Sequence, residues 1–217
     1  MQNINNRTKT VVTCGIFVAL STVLSLIQIP LPFLLYGGSV TFFSMVPIVL
    51  ISQMYGNKTG LLAATVYGLL QALLGATASQ AFAGVSGWSL PAMLFLDYIA
   101  AFAVLGLGGT FMKKIKSTTL AVGLGTFLVT LLRYLVHFLS GYILWGSYAE
   151  WFFSEQIGEY GQFFLNTYSG KALAAVYSLI YNGLYMVPEI VITVIGCVAV
   201  SSVPAISRQL IKPASKV

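Results

Sequence analysis

Long apolar runs, separated by short gaps that hold nearly every charge, constrain this chain more than any other feature. A membrane span needs about 20 mainly apolar residues. Runs of that kind fall at 10–29, 40–55, 59–76, 89–112, 118–146 and 172–203. Gly and Pro punctuate the gaps: Pro30 and Pro32, Gly37 and Gly38, Gly56, and the segment from Gly84 to Pro91. Only 7% of the 217 residues are charged and 58% are hydrophobic, where a soluble domain carries roughly 25% charged residues. An ordinary soluble fold is excluded, and residues 1–217 read as one all-α transmembrane domain of six helices. The first run is longer than a signal-peptide core and lacks a small-x-small cleavage site before Pro30, so it reads as an uncleaved helix. The second run is short and contains Pro47, which predicts a kink or a partial span.

The net charge of +6 is a topology signal and not a nucleic-acid signature. Arg7 and Lys9 precede the first run, Lys58 sits between the second and third, and Lys113, Lys114 and Lys116 lie between the fourth and fifth. Arg208, Lys212 and Lys216 end the chain, whereas the opposite side carries Lys171 alone, beside Glu150, Glu155 and Glu159. The positive-inside rule then places both termini in the cytoplasm. Cys14 and Cys197 fall inside the first and last runs without metal-ligand spacing, and read as buried free thiols. The segment from Trp145 to Tyr168 is aromatic, acidic and long, with a short interfacial helix expected over 151–164. Its composition favours an aromatic belt at the outer surface over a lid.

Polar residues inside the bilayer are expensive and need a reason. Counting about 1.5 Å per residue puts Asp97 about 12 Å below the outer end of the fourth helix. The same count puts Arg133 and His137 about 22 and 28 Å above the inner face on the fifth helix. Tyr177 and Asn182 fall in the outer half of the sixth. Arg133 and His137, four apart, share a helix face, with Tyr134 beside them. Tyr177, Tyr181, Asn182 and Tyr185 form a stripe on the sixth helix, and Tyr98 follows Asp97 on the fourth. Each has a structural alternative, such as an Arg133–Asp97 ion pair, His137 as an interhelical hydrogen bonder, or tyrosines that only pack. Gathered at one depth, they favour a small-molecule site. One acid, aromatic faces and amide or imidazole hydrogen bonders suit a flat cationic heterocycle. No catalytic triad order, metal spacing or phosphate-binding loop occurs, so no enzyme activity, metal or cofactor is expected, and transport would need an energised partner. Glu189, after Pro188, either satisfies backbone freed by the proline or contacts a partner, and the sequence does not choose between them.

Several separated segments carry a family resemblance. Leu132–Gly141, Tyr177–Asn182, Tyr185–Pro188, Leu96–Tyr98 and Gly37–Ser39 together resemble the thiamine-specific substrate-binding subunits of energy-coupling factor transporters. The resemblance covers nearly the whole chain. It implies a six-helix bundle in the bacterial plasma membrane, both termini cytoplasmic, with a thiamine site near the extracellular face closed by loops. It also implies partners, namely a transmembrane coupling subunit and two cytoplasmic ATPases, with docking through the first helix at Gly15 and Ala19 and toppling to release the vitamin inward. Carried over by residue, Asp97 would face the thiazolium, followed by Tyr98. Arg133 would neutralise and orient that acid, with Tyr134 and His137 in register and Trp145 at the outer end. Tyr177 and Asn182 would contact the pyrimidine. Some relatives carry tryptophan where Gly38 stands, which leaves Tyr36, Trp88 or Trp151 to supply a stacking face. The alternatives are a subunit of the same class for another vitamin or a pyrimidine precursor and, more remotely, a small intramembrane enzyme using His137 and Asp97.

Overall fold

The structure is a computed structural model that describes residues 2–31, 34, 37–77, 82 and 85–211. Pro32, Tyr36, Gly84, Lys212 and Lys216 lie outside the described residues. Without water to satisfy the backbone, an apolar chain closes its hydrogen bonds within helices, and helices dominate here. Helix α1 spans Gln2–Ser25 and is followed by two short strands, β1 Gln28–Pro30 and β2 Ser39–Thr41, paired antiparallel with Ile29 opposite Val40. This hairpin corrects the expected ends of the first two helices. β-branched Ile29, Val40 and Thr41 favour extended backbone, and Pro30 sits where an edge strand tolerates it.

Helix α2, Val46–Tyr55, is shorter than expected because the hairpin takes its first residues, and Pro47 lies in its first turn instead of kinking it. At 10 residues it reaches about 15 Å, half a hydrocarbon core. Every residue from Val46 to Met54 is buried, so α2 is a central peg enclosed by its neighbours. Its Gln53 side chain donates to the Val122 carbonyl at 3.3 Å and to Thr126 Oγ1 at 3.1 Å. Helix α3 follows as Asn57–Thr77. Helix α4, Ser89–Leu107, presses against α3 so closely that a Cβ on Gly60 or Gly106 would enter the other helix's backbone. α4 ends at Leu107, five residues short of expectation, in turns around Gly108 and Gly109.

Helix α5, Thr118–Leu144, starts at Ser117, whose side chain accepts the Leu120 N–H. Short helical turns over 146–156 form α6, α7 is Glu159–Thr167, and the long α8, Gly170–Ser201, carries Pro188 inside it. Helix α9, Pro204–Ser207, is followed by a short tail in which the Ile211 N–H donates to the Gln53 carbonyl at 3.0 Å. α5 and α8 pack along their length. Among the described residues, four helices (α1, α4, α5 and α8) are long and apolar enough to cross a membrane. The outward faces carry Val11, Leu62, Ile143 and Ile195, each at least 60% exposed. Such broad apolar surface fits lipid and not water. Cys14 is half-buried and Cys197 buried, both free.

The loop between α5 and α8 is not a surface belt alone. Phe152 and Phe153 are fully buried, with the Phe152 ring 5.3 Å from Tyr177 and 5.4 Å from Tyr181 on α8. Tyr160 and Phe163 on α7 face outward. The segment thus caps a second hydrophobic cluster that includes Leu34, Val40, Tyr177, Tyr181 and Tyr185.

Candidate functional site

Between that cap and the α2 core lies a cavity of about 420 Å³, a size typical of small-molecule sites. α4 changes to a wider π-helical path over Leu94–Ala100, with Asp97 at its centre. Such bulges shift the register of side chains and recur at functional sites. Here Asp97 lines the cavity, 19% exposed at its side chain.

His137 Nδ1 lies 3.3 Å from Asp97 Oδ1, and His137 Nε2 accepts from Arg133 Nε at 3.3 Å. Because Nε2 accepts, the ring proton sits on Nδ1 and is donated to Asp97. Arg133 therefore does not pair with Asp97 directly, contrary to the sequence expectation. Four residues apart on α5, His137 stands between them. The Arg133 guanidinium instead lies 4.1 Å over the Phe102 ring and donates to Met45 Sδ at 2.7 Å. The chain Arg133–His137–Asp97 fixes the acid while leaving its charge facing the cavity.

Seven residues expected at the site line this one cavity: Asp97, Tyr98, Arg133, His137, Trp145, Tyr177 and Asn182. Tyr134 does not. Its hydroxyl donates to the Leu179 carbonyl at 2.7 Å, which turns it along the α5–α8 seam away from the cavity. Asn182 is placed at the wall but its amide hydrogens are already committed. Nδ2 lies 3.2 Å from the His137 carbonyl, 2.9 Å from the Ser178 carbonyl and 3.2 Å from Ser178 Oγ, while Oδ1 accepts from Tyr185 at 2.7 Å. Asn182 braces α5 against α8 and holds Tyr185. Gly15 and Ala19 lie on an exposed face of α1, apart from the cavity, and a Cβ on Gly15 would meet nothing within 4 Å.

Tyr181 and Tyr185, in the stripe expected on the last long helix, line the cavity as well, and Glu189, Thr41 and Ser44 are walls that carried no site expectation. Tyr181, Tyr185 and Glu189 recur every four residues, and that spacing was the available signal. The hairpin contacts of Thr41 had none. Trp88 is 81% exposed, and neither it nor Trp151 lines the cavity, so the stacking face comes from elsewhere. At Gly38, φ is +99° and an added Cβ would lie 2.7 Å from Tyr185 Cδ1. The Tyr185 ring occupies that space and meets His137 edge-on at 5.8 Å.

Residues 11–157, more than half the chain, match the family described as thiamine transporter protein. The chain belongs to that family. It is 31% identical over 183 residues to the thiamine transporter ThiT of Bacillus subtilis, covering 80% of each protein. A second relative, thiamine transporter ThiT of Lacticaseibacillus paracasei, is 29% identical over 119 residues, 49% of this chain and 55% of that one. A solved structure of ThiT from Listeria monocytogenes superposes with a TM-score of 0.68 over 93% of this chain and 98% of its own, at 20% identity, which shows a shared fold. Family membership and the apolar helices together mark a membrane protein of the thiamine transporter family.

Proposed function

We propose that the cavity binds thiamine and that the chain is the substrate-binding subunit of an energy-coupling factor importer. The observation that carries this reading is Asp97, a carboxylate fixed by His137 in a cavity whose walls include Trp145, Tyr177, Tyr181 and Tyr185, where a thiazolium cation finds a counter-charge and ring faces. Cations over aromatic faces gain about 0.5–2 kcal/mol when desolvated. Trp145 and Tyr177 supply faces from the outer side and Tyr185 from α8.

In this reading six helices span the bacterial plasma membrane, α2 only half of it, and both termini are cytoplasmic. Thiamine enters from outside beneath the α6 cap. The open face of α1 around Gly15 and Ala19 docks a transmembrane coupling subunit, which couples two cytoplasmic ATPases to inward release. Isothermal titration of the detergent-purified protein tests the substrate, with a dissociation constant below about 1 μM expected. Heat signals absent at micromolar thiamine reject the reading. Uptake into proteoliposomes tests the partners: labelled thiamine accumulates only when coupling subunit, ATPases and ATP are all present.

A further inference from the structure

Beneath Asp97 and His137 the cavity floor carries a second acid. Glu189 is 3% exposed and lines the same cavity, seven residues below Asn182 and on the same face of α8. Its Oε1 accepts twice from Thr41, from the backbone N–H at 2.6 Å and from Oγ1 at 2.7 Å. Ser44 in turn donates to Thr41 Oγ1 at 2.6 Å, so the hydroxyls around Oε1 are all in use. Oε2 is buried and has no partner among the described residues. A buried carboxylate oxygen without a protein donor is unfavourable, and such groups are rare enough in native structures to need a reason.

The nearby cation does not supply it. Arg133 directs Nε to His137, Nη1 to Met45 and its face to Phe102, and forms no ion pair with Glu189 among the described residues. Asn182 cannot supply it either, because its N–H groups point at His137 and Ser178. Glu189 lines the cavity, so a ligand bound there is placed to supply the donor.

We infer that Glu189 is a second ligand-contacting carboxylate, with Oε2 accepting a hydrogen bond from the exocyclic amine of a bound aminopyrimidine. This rests on the thiamine reading above. That ligand has one cationic ring and one ring bearing an amine, and the cavity has one acid for each: Asp97 for the charge and Glu189 for the N–H. Glu189 also links the ligand to the hairpin, since its other oxygen holds Thr41 at the end of β2.

The test compares three ligands by isothermal titration: thiamine, its analogue with hydrogen in place of the exocyclic amine, and its analogue with a carbonyl oxygen there. The wild-type protein binds thiamine tightest, the hydrogen analogue about tenfold weaker, and the oxo analogue weakest, because its oxygen meets Oε2. Glu189→Gln keeps an oxygen for Thr41 but offers an NH2 in place of Oε2. It loses at least about tenfold for thiamine and narrows or reverses the gap to the oxo analogue. A uniform loss for all three ligands in Glu189→Gln would mean that Glu189 only holds Thr41, and overturns the inference. Should that variant not fold, the wild-type series decides, and a hydrogen or oxo analogue binding as tightly as thiamine overturns it. Absence of thiamine binding to the wild-type protein is a different result, since it removes the functional reading itself.

Discussion

Replacing Asp97 by Asn removes a charge while keeping the shape of the site. Asn can still accept the His137 Nδ1 proton, now made at 3.3 Å, so the His137 tautomer and the Arg133 contacts behind it are retained. What changes is the electrostatic partner of the bound cation. Two unit charges about 4 Å apart interact by about 4 kcal/mol at an effective dielectric of 20. The side chain of Asp97 is 19% exposed, so screening makes that an upper bound. A charge-assisted hydrogen bond contributes about 1.5–3 kcal/mol, which sets the lower range. With tenfold in affinity for every 1.4 kcal/mol, the variant loses between about 10- and 1,000-fold for thiamine. A neutral pyrimidine without the thiazolium has no charge to lose and stays within about threefold of wild type. Isothermal titration of both ligands against both proteins measures the difference. Equal losses for the two would show that Asp97 organises the cavity without meeting a cation, and the argument for a cationic ligand would fall.

Three further outcomes follow from the geometry. Tyr134→Phe removes only a hydroxyl bonded to the Leu179 carbonyl outside the cavity, so thiamine affinity stays within about twofold, by titration. Phe152→Ala empties a fully buried position against Tyr177 and Tyr181; it lowers stability by about 3–5 kcal/mol, read as a depressed melting temperature in detergent, and speeds thiamine release in stopped-flow. Gly15→Leu places a side chain in open space on α1. The isolated subunit binds thiamine unchanged, while uptake in proteoliposomes with the coupling subunit and ATPases drops at least about tenfold because the helices no longer approach closely.

What the sequence made legible was what depends on depth and helical period. Asp97, Arg133, His137, Trp145 and Tyr177 reach one cavity because residues at similar heights on packed helices must converge. The contacts among them were less legible. An acid and a guanidinium at one depth suggest an ion pair, yet the four-residue spacing on α5 inserts His137 between them. Asn182 was readable as a wall residue but not as one whose amide is spent on Ser178 and His137, since that depends on the α5–α8 crossing. The hairpin was hidden because Ile27–Ile29 and Val40 continue apolar runs. Periodicity cannot separate a short strand from the end of a helix there. Glu189 stayed unassigned because its partner Thr41 is 148 residues away along the chain.

Gly38 illustrates how a residue that looks like a loss can be a matched exchange. By sequence it is a hole where an aromatic loop residue would have stacked on a ligand. In the structure its φ of +99° and the Tyr185 ring 2.7 Å from its would-be Cβ leave no room for any side chain. The ring that fills this space is anchored at both ends of its function: the hydroxyl donates to Asn182 Oδ1 at 2.7 Å, and the ring edge meets His137 at 5.8 Å. An aromatic surface supplied from α8 is more rigid than one supplied from a loop, because a helix fixes the backbone on which the side chain turns. The tyrosine therefore couples three things that a loop tryptophan would leave separate: the brace at Asn182, the His137–Asp97 pair, and the approach of the hairpin loop. Glycine at position 38 is what lets that loop close over the ring, so the absence of a side chain there is part of the site.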